Sequence, residues 1–398
     1  MADYKVPGVY VEEPFGLSLS IQAGQTAVPV FAFDGGNTLA SAMRAADKVT
    51  EFTSWLEVST VRQKVWDTAY AGDGGNDDAK KTAAEKAVAP FDADRLYQSL
   101  RLYFINGGGH CYIVPLDKFD TLVPALDDAT LLVQAGSTTA TFVTKVTALC
   151  GTGKTLFALF DGPQEALDTP ATVKAKVQDG NIYPSTPYAA VYYPWLTVPS
   201  AENNSVIDVP PSGAVAGVYA RVDRQRGVWK APANVEIIGA TPKFKVSDAV
   251  GAACNVPTSG GKAVNVIRVF RGTGPLIWGA RTLNADSGAW RYVPVRRLFN
   301  AAERDIKTAM SMALFEPNSA PTWERVRGAV ESYVHGLWRQ GALQGESPAQ
   351  AYFVHIGLGT TMTQDDINNG RMIVKVGLAA VRPAEFIVLQ LTQDVVPA

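Results

Sequence analysis

The segment with the most chemical promise is CGTGKTLFALFDG. Gly153-Lys154-Thr155 reproduces the end of a phosphate-binding loop, and LFALFD imitates an apolar strand closing on a magnesium-holding aspartate. The complete loop needs a glycine five residues before Gly153, where Ala148 stands, and it must open a helix whose N-terminus holds phosphate. Leu156 to Asp161 is short, apolar and stopped by Gly162-Pro163, so the stretch reads as a glycine hairpin. A nucleotide-dependent motor or transferase centred on Lys154 stands as the enzymatic alternative.

Other reactive residue types are scattered. His110, His335 and His355 lie far apart, without HExxH or paired metal spacing, and there is no GxSxG elbow. Cys111, Cys150 and Cys254 are odd in number and widely spaced, which suits buried thiols better than disulfides or a CxxC site. Gly107-Gly108-Gly109 reads as a turn, since no GxGxxG pattern or helix start follows. Arg224, Arg226 and Lys230 surround one aromatic, Trp229, whereas a single-strand nucleic-acid platform needs several; an intersubunit or intradomain contact fits better. Asp127-Asp128 and Asp365-Asp366 sit in turn-like contexts. No catalytic residue, cofactor site or metal ligand is nominated, and the chain is read as a non-enzyme.

The elements around these residues are those of an ordered multidomain protein. A chain of 398 residues suggests two or three domains, and 47% hydrophobic with 19% charged residues excludes a disordered tail. A net charge of −2 gives no whole-molecule attraction to nucleic acid. No apolar run reaches membrane-spanning length, and MADYKVPG lacks the regions of a secretory signal, so folding in cytoplasm without membrane insertion is expected.

Local pattern assigns a mixed α/β (α+β) fold. AVPVFAF reads as a buried strand, Ser54 to Tyr70 and Asp92 to Ile105 as helices, and AGDGGNDDAKKTAAEKAVAP as an exposed loop entering a short helix. PYAAVYYPWLTV reads as one central strand, and Ala214 to Arg224 as a helix after a Pro-Pro-Ser-Gly turn. VNVIRVF and a second short run read as strands, and Tyr292 to Phe315 as a helix ended by Pro317. The clearest helix starts at Pro321, with Trp323, Val326, Val330, Val334 and Leu337 on one face and Gly341 past its end. After the polar turn TQDDINNG come two strand-like runs, Arg371 to Ala380 and Glu385 to Gln393. From Leu116 to about Ser185 five lysines face eight acidic residues, and STTATFVTKVTAL alternates like a strand, which suggests a separate β-rich domain. Val264 to Ala398 carries fourteen basic and eleven acidic residues. VYVEE, near the N-terminus, has no hairpin partner nearby; its backbone must pair either with its own domain's sheet or elsewhere.

The words VPPSGAVAGVYARVDRQRGVWKAPANVEI, VRRLFNAAERDI, FEPNSAPTWERVR, GLWRQGALQG, AYFV and TMTQDDINNGRMIVKVGLAAVRPAEFIV closely resemble the tail sheath proteins of contractile phage tails and related contractile injection systems. YKVPGVYVEE resembles that family's N-terminal arm, so the similarity covers the first dozen residues and most of Tyr188 to Gln393.

The resemblance implies a structural subunit with an N-terminal arm (1–25), a sheath core beginning at 26–115, an inserted outer-surface domain (116–185), a core and C-terminal tube-proximal domain (186–382) and a C-terminal arm (383–398). Such subunits stack as helical rings around an inner tube, joined by strand addition through Val9, Tyr10, Val11, Glu12 and Phe386, Ile387, Val388, Leu389, Gln390, Leu391. Implied partners are further copies of the chain, the inner tube protein, and baseplate and tail terminator proteins, in a phage tail or injection particle. Arg325, Arg327 and Arg339 are the candidate residues facing an acidic tube. A non-polymerising baseplate or tail-end adaptor is the alternative within the same family.

Overall fold

The computed structural model describes residues 20–45, 47–180, 182–199, 206–257 and 261–386. Its elements run β1 (Pro29–Phe33), α1 (Thr38–Ala42), β2 (Thr50–Phe52), α2 (Trp55–Gly72), α3 (Asp77–Ala93), α4 (Arg95–Ile105), β3 (Cys111–Pro115), α5 (Phe119–Leu122), β4 (Leu131–Val133), α6 (Thr139–Leu149), β5 (Phe157–Asp161), α7 (Pro170–Val173) and β6 (Ala189–Tyr193). They continue β7 (Leu196–Pro199), β8 (Val206–Val209), α8 (Pro211–Arg226), β9 (Val235–Glu236), β10 (Thr241–Pro242), α9 (Asp248–Asn255), β11 (Val264–Val269), β12 (Pro275–Trp278), α10 (Val293–Met310), α11 (Ala320–Arg339), α12 (Pro348–Ala351), β13 (Tyr352–His355), α13 (Gln364–Asn368) and β14 (Lys375–Leu378). Among the described residues, 24–304 with 380–386 form one compact unit, and 20–23 with 305–379 a second.

The larger unit is built on a nine-stranded sheet of order β2-β3-β1-β4-β5-β6-β11-β12-β9. β3, β1, β4, β5, β6 and β11 run parallel. Strands covered on both faces need continuous apolar runs, and PVFAF, LLV, FALFD and AAVYY are buried throughout. Alternate residues feed two cores. Phe31, Ile113, Val133, Leu159 and Tyr192 meet α4 and α8, while Val30, Val114, Leu132, Phe160 and Val191 meet α6 and α9 on the other face. The result is a doubly wound three-layer arrangement.

α8 lies close against α4 because Ser-Gly-Ala-Val-Ala-Gly keeps its contact face small. A β-carbon at Gly217 would come within 2.3 Å of the Tyr103 carbonyl oxygen, and one at Gly213 within 2.6 Å of that of Ser99. Buried Asp94 ties two helix starts together: its carboxylate accepts from Leu96 N (2.8 Å) at the start of α4 and from Leu39 N (2.7 Å) in α1.

Several expectations are corrected here. STTATFVTKVTAL is the helix α6, with Phe142, Val146 and Leu149 buried. Residues 116–185 are not a β-rich inserted domain, since β4 and β5 sit in the middle of the principal sheet. The loop after Gly72 is short and α3 runs to 17 residues. Pro211 opens α8, so the expected turn is the helix's first turn. Pro194 divides PYAAVYYPWLTV between β6 and β7, and β7 belongs to a separate sheet of order β10-β7-β8. TQDDINNG contains α13, opened by a Thr363–Asp366 capping box, and within Arg371 to Ala380 only Lys375–Leu378 is strand.

The smaller unit packs α11 on the two-stranded antiparallel sheet of β13 and β14. The helix buries Val326, Val330, Val334 and Leu337, as its spacing requires.

Candidate inter-subunit surfaces

In the two-stranded sheet Tyr352 pairs with Leu378 and His355 with Lys375, and no further described strand pairs with either outer edge. The face that carries Phe353, His355 and Lys375 is open as well: Phe353 is 50% exposed and lies across Gly377, where a β-carbon would come within 2.1 Å of its ring. A two-stranded sheet is only marginally stable alone, and its unpaired N–H and C=O rows are templates for another strand. α11 supports one side; Tyr352 OH sits 3.1 Å from His335 Nδ1.

The basic residues of α11 do not form one face. Helical spacing places Arg325 and Arg327 on opposite flanks of the buried stripe. Arg325 lies 3.6 Å from the Glu316 carboxylate, and Arg327 is paired with Glu324 and lies 3.9 Å from Glu331. Arg339, in the last turn, is exposed and has no ion pair among the described residues.

Of the proposed arm residues, Val9, Tyr10, Val11, Glu12, Ile387, Val388, Leu389, Gln390 and Leu391 lie outside the described residues. Phe386 is described, 70% exposed and not in a strand. The chain at the root of each proposed arm is held by a buried arginine. Arg297 makes a two-pronged contact with Asp223, with Nη1 to Oδ1 at 3.0 Å and Nη2 to Oδ2 at 2.5 Å. Nη2 also donates to Thr26 O (3.0 Å), and Thr26 Oγ1 donates back to Asp223 Oδ2 (2.5 Å). At the other end Arg281 Nε and Nη2 grip Glu385, at 3.0 Å and 2.5 Å from Oε2, and Tyr292 OH adds a contact at 3.3 Å. Charge-assisted forks of this kind orient as well as attract. Sequence reasoning missed both. The available signal was Arg297 four residues from both Val293 and Ala301, a charge on an apolar helical stripe.

The larger unit also has a cleft of about 400 Å³ at the carboxyl ends of β1, β4 and β5, beside the point where the strand order reverses between β1 and β4. Open parallel sheets place ligands at such a crevice. Here the polar groups are engaged within the fold. Asp161 Oδ1 accepts from Ser212 N and Oδ2 from Gly136 N, both at 2.8 Å, and burial pushes its carboxyl up to about 6. Asp34 Oδ2 accepts from Thr138 N and Oγ1, and Arg95 lies over the Trp195 ring. Gly153-Lys154 makes a turn from α6 into β5, neither a hairpin nor the strand-to-helix polarity that a phosphate loop requires, and Lys154 Nζ donates to Ala148 O. Among the described residues no group of three or more His, Cys, Asp or Glu is placed to hold a metal, and no helix is long and apolar enough to cross a membrane.

Known proteins share this fold. A family model of the phage tail sheath protein central domain matches residues 125–283, and one of the phage tail sheath C-terminal domain matches residues 285–394. The chain is similar to one in the contracted-state PVC sheath complex of an extracellular contractile injection system, with 48% identity, a TM-score of 0.80 and 99% of each chain covered. It is also similar to one in the contracted-state baseplate of the anti-feeding prophage, at 44% identity and a TM-score of 0.78, over 98% of this chain and 99% of that one. A curated relative, the putative prophage major tail sheath protein of Pseudomonas aeruginosa (strain UCBPP-PA14), is 25% identical over 150 residues, 38% of this chain and 39% of that protein. The chain thus spans about two fifths of that relative's length. With the two models together matching more than half of the chain, and a near full-length structural relative at 48% identity, this protein belongs to the phage tail sheath family.

Proposed function

We propose that many copies of this subunit polymerise as stacked helical rings around an inner tube and contract to drive that tube through a target envelope. The observation that carries the reading is the β13–β14 sheet, to neither outer edge of which a further strand pairs among the described residues, so that each edge could take one. The occupants would be the N-terminal strand Val9 to Glu12 and the C-terminal strand Phe386 to Leu391 of neighbouring copies, giving a mesh of folded bodies on extended links. Rigid bodies can then rotate and slide while backbone hydrogen bonds keep them joined. Contraction would run from a metastable extended lattice to one with more buried contact, so the energy is stored at assembly and no nucleotide, cofactor or catalysis is required. Partners are other copies, the inner tube, and baseplate and terminator proteins, without nucleic acid or membrane insertion. The subunit would fold in bacterial cytoplasm and leave it in a phage tail or injection particle.

Similarity to a chain in a baseplate structure favours a second reading, a baseplate-proximal adaptor that does not polymerise. Negative-stain microscopy of the purified protein, alone and with its tube protein, separates the two. Hollow striated cylinders are expected; discrete particles under both conditions would replace the sheath reading with the adaptor.

A further inference from the structure

We propose that residues 281–297 act as a tie between the roots of the two arms, so that load on one arm is felt at the other within the same subunit. The inference rests on the sheath reading only for its purpose; the tie itself is a property of the single chain. One end is Arg281. Its guanidinium grips Glu385 and donates to Asn255 O (2.8 Å), while its backbone N–H and C=O are both held by the Asn265 side chain, at 2.8 and 2.9 Å. The side chain and main chain of Arg281 are thus both fixed, with the Arg281 side chain 6% exposed and that of Glu385 16%.

The other end is Arg297, sixteen residues later and one turn into α10. Its pair with Asp223 is almost fully buried, at 3% and 5% exposed, and its guanidinium also lies over the Tyr219 ring at 4.5 Å. The chain between the ends is not slack. Arg281 bridges Tyr292, Thr282 N donates to Arg291 O (2.8 Å), and Val293 N donates to Ala280 O (2.9 Å). Tyr292, which joins this ladder, also touches Glu385. A continuous hydrogen-bonded path therefore runs from Glu385 through Arg281, Tyr292 and the first turn of α10 to Arg297 and Thr26.

Energetic coupling between two sites is reciprocal, so it can be read from either end. Hydrogen exchange of the full-length monomer tests it. Glu385→Gln should speed amide exchange at residues 26–28 as well as at 384–386, and Thr26→Val should do the reverse. The distant root should change by about fivefold, the low end for coupled sites. Arg281→Lys, which keeps the charge and loses the fork, should act as Glu385→Gln does and guards against a variant that merely unfolds. Changes confined to the mutated root in all three variants would overturn the tie. Cylinder formation by the wild-type chain tests the sheath reading separately, so the two can fail independently.

Discussion

Asp161 is the residue whose environment most alters its chemistry. It resembled a magnesium ligand in the sequence, yet its carboxylate joins the loop after β4 to the start of α8, and burial raises its pKa to about 6. A carboxyl raised above its unfolded value, about 4, keeps its proton in the folded chain after the unfolded chain has lost it. The stability contributed by this group is therefore fully present below about pH 4 and is lost as pH rises to about 6. A displacement of about two pH units corresponds to about 3 kcal/mol. Asp161→Asn should flatten that part of the stability profile in urea unfolding between about pH 4 and about pH 6.5. An unchanged slope would assign it to other carboxylates. None of this was legible locally, since the donors belong to Gly136 and Ser212, far along the chain.

Elements with a single dominant period were the legible ones. α11 followed from Val326, Val330, Val334 and Leu337, and β1 from an unbroken apolar run bounded by turn residues. α6 was misread because its four threonines, with Thr138 just before it, favour strand, although Phe142, Val146 and Leu149 carry the helical period. Packing between α5 and β5 settled the matter in favour of burial. The charges of α11 show the same limit: their number could be read from sequence, their pairing could not. Arg325 and Arg327 face carboxylates of their own unit, which leaves Arg339 as the best candidate of the three for an acidic tube surface. Arg339→Glu should weaken tube binding about two- to fivefold in low salt, the range for an exposed pair, with the difference vanishing as salt rises. Equal affinity for variant and wild type at low salt would remove this helix end from the tube contact.

For the whole molecule, the proposed strand addition makes a separable demand on fold and assembly. Deleting residues 2 to 13, or introducing Val388→Pro, should leave a monomer with wild-type circular dichroism and cooperative melting that forms no long cylinders, since a proline removes a ladder donor. Loss of the folded monomer would show instead that these segments belong to its own core. The C-terminal half carried the family signature in its words, and the two matched models cover it, while the doubly wound order of the principal sheet was hidden because its strands come from residues as distant as Phe31 and Ile267. The small β13–β14 sheet has one further consequence. An edge that welcomes a neighbour's strand does not discriminate well against a stranger's, so the same feature is a liability towards amyloid-like stacking while subunits wait in solution. If strand addition operates as proposed, free subunits must be kept scarce, or those edges shielded, until a nucleus for growth exists.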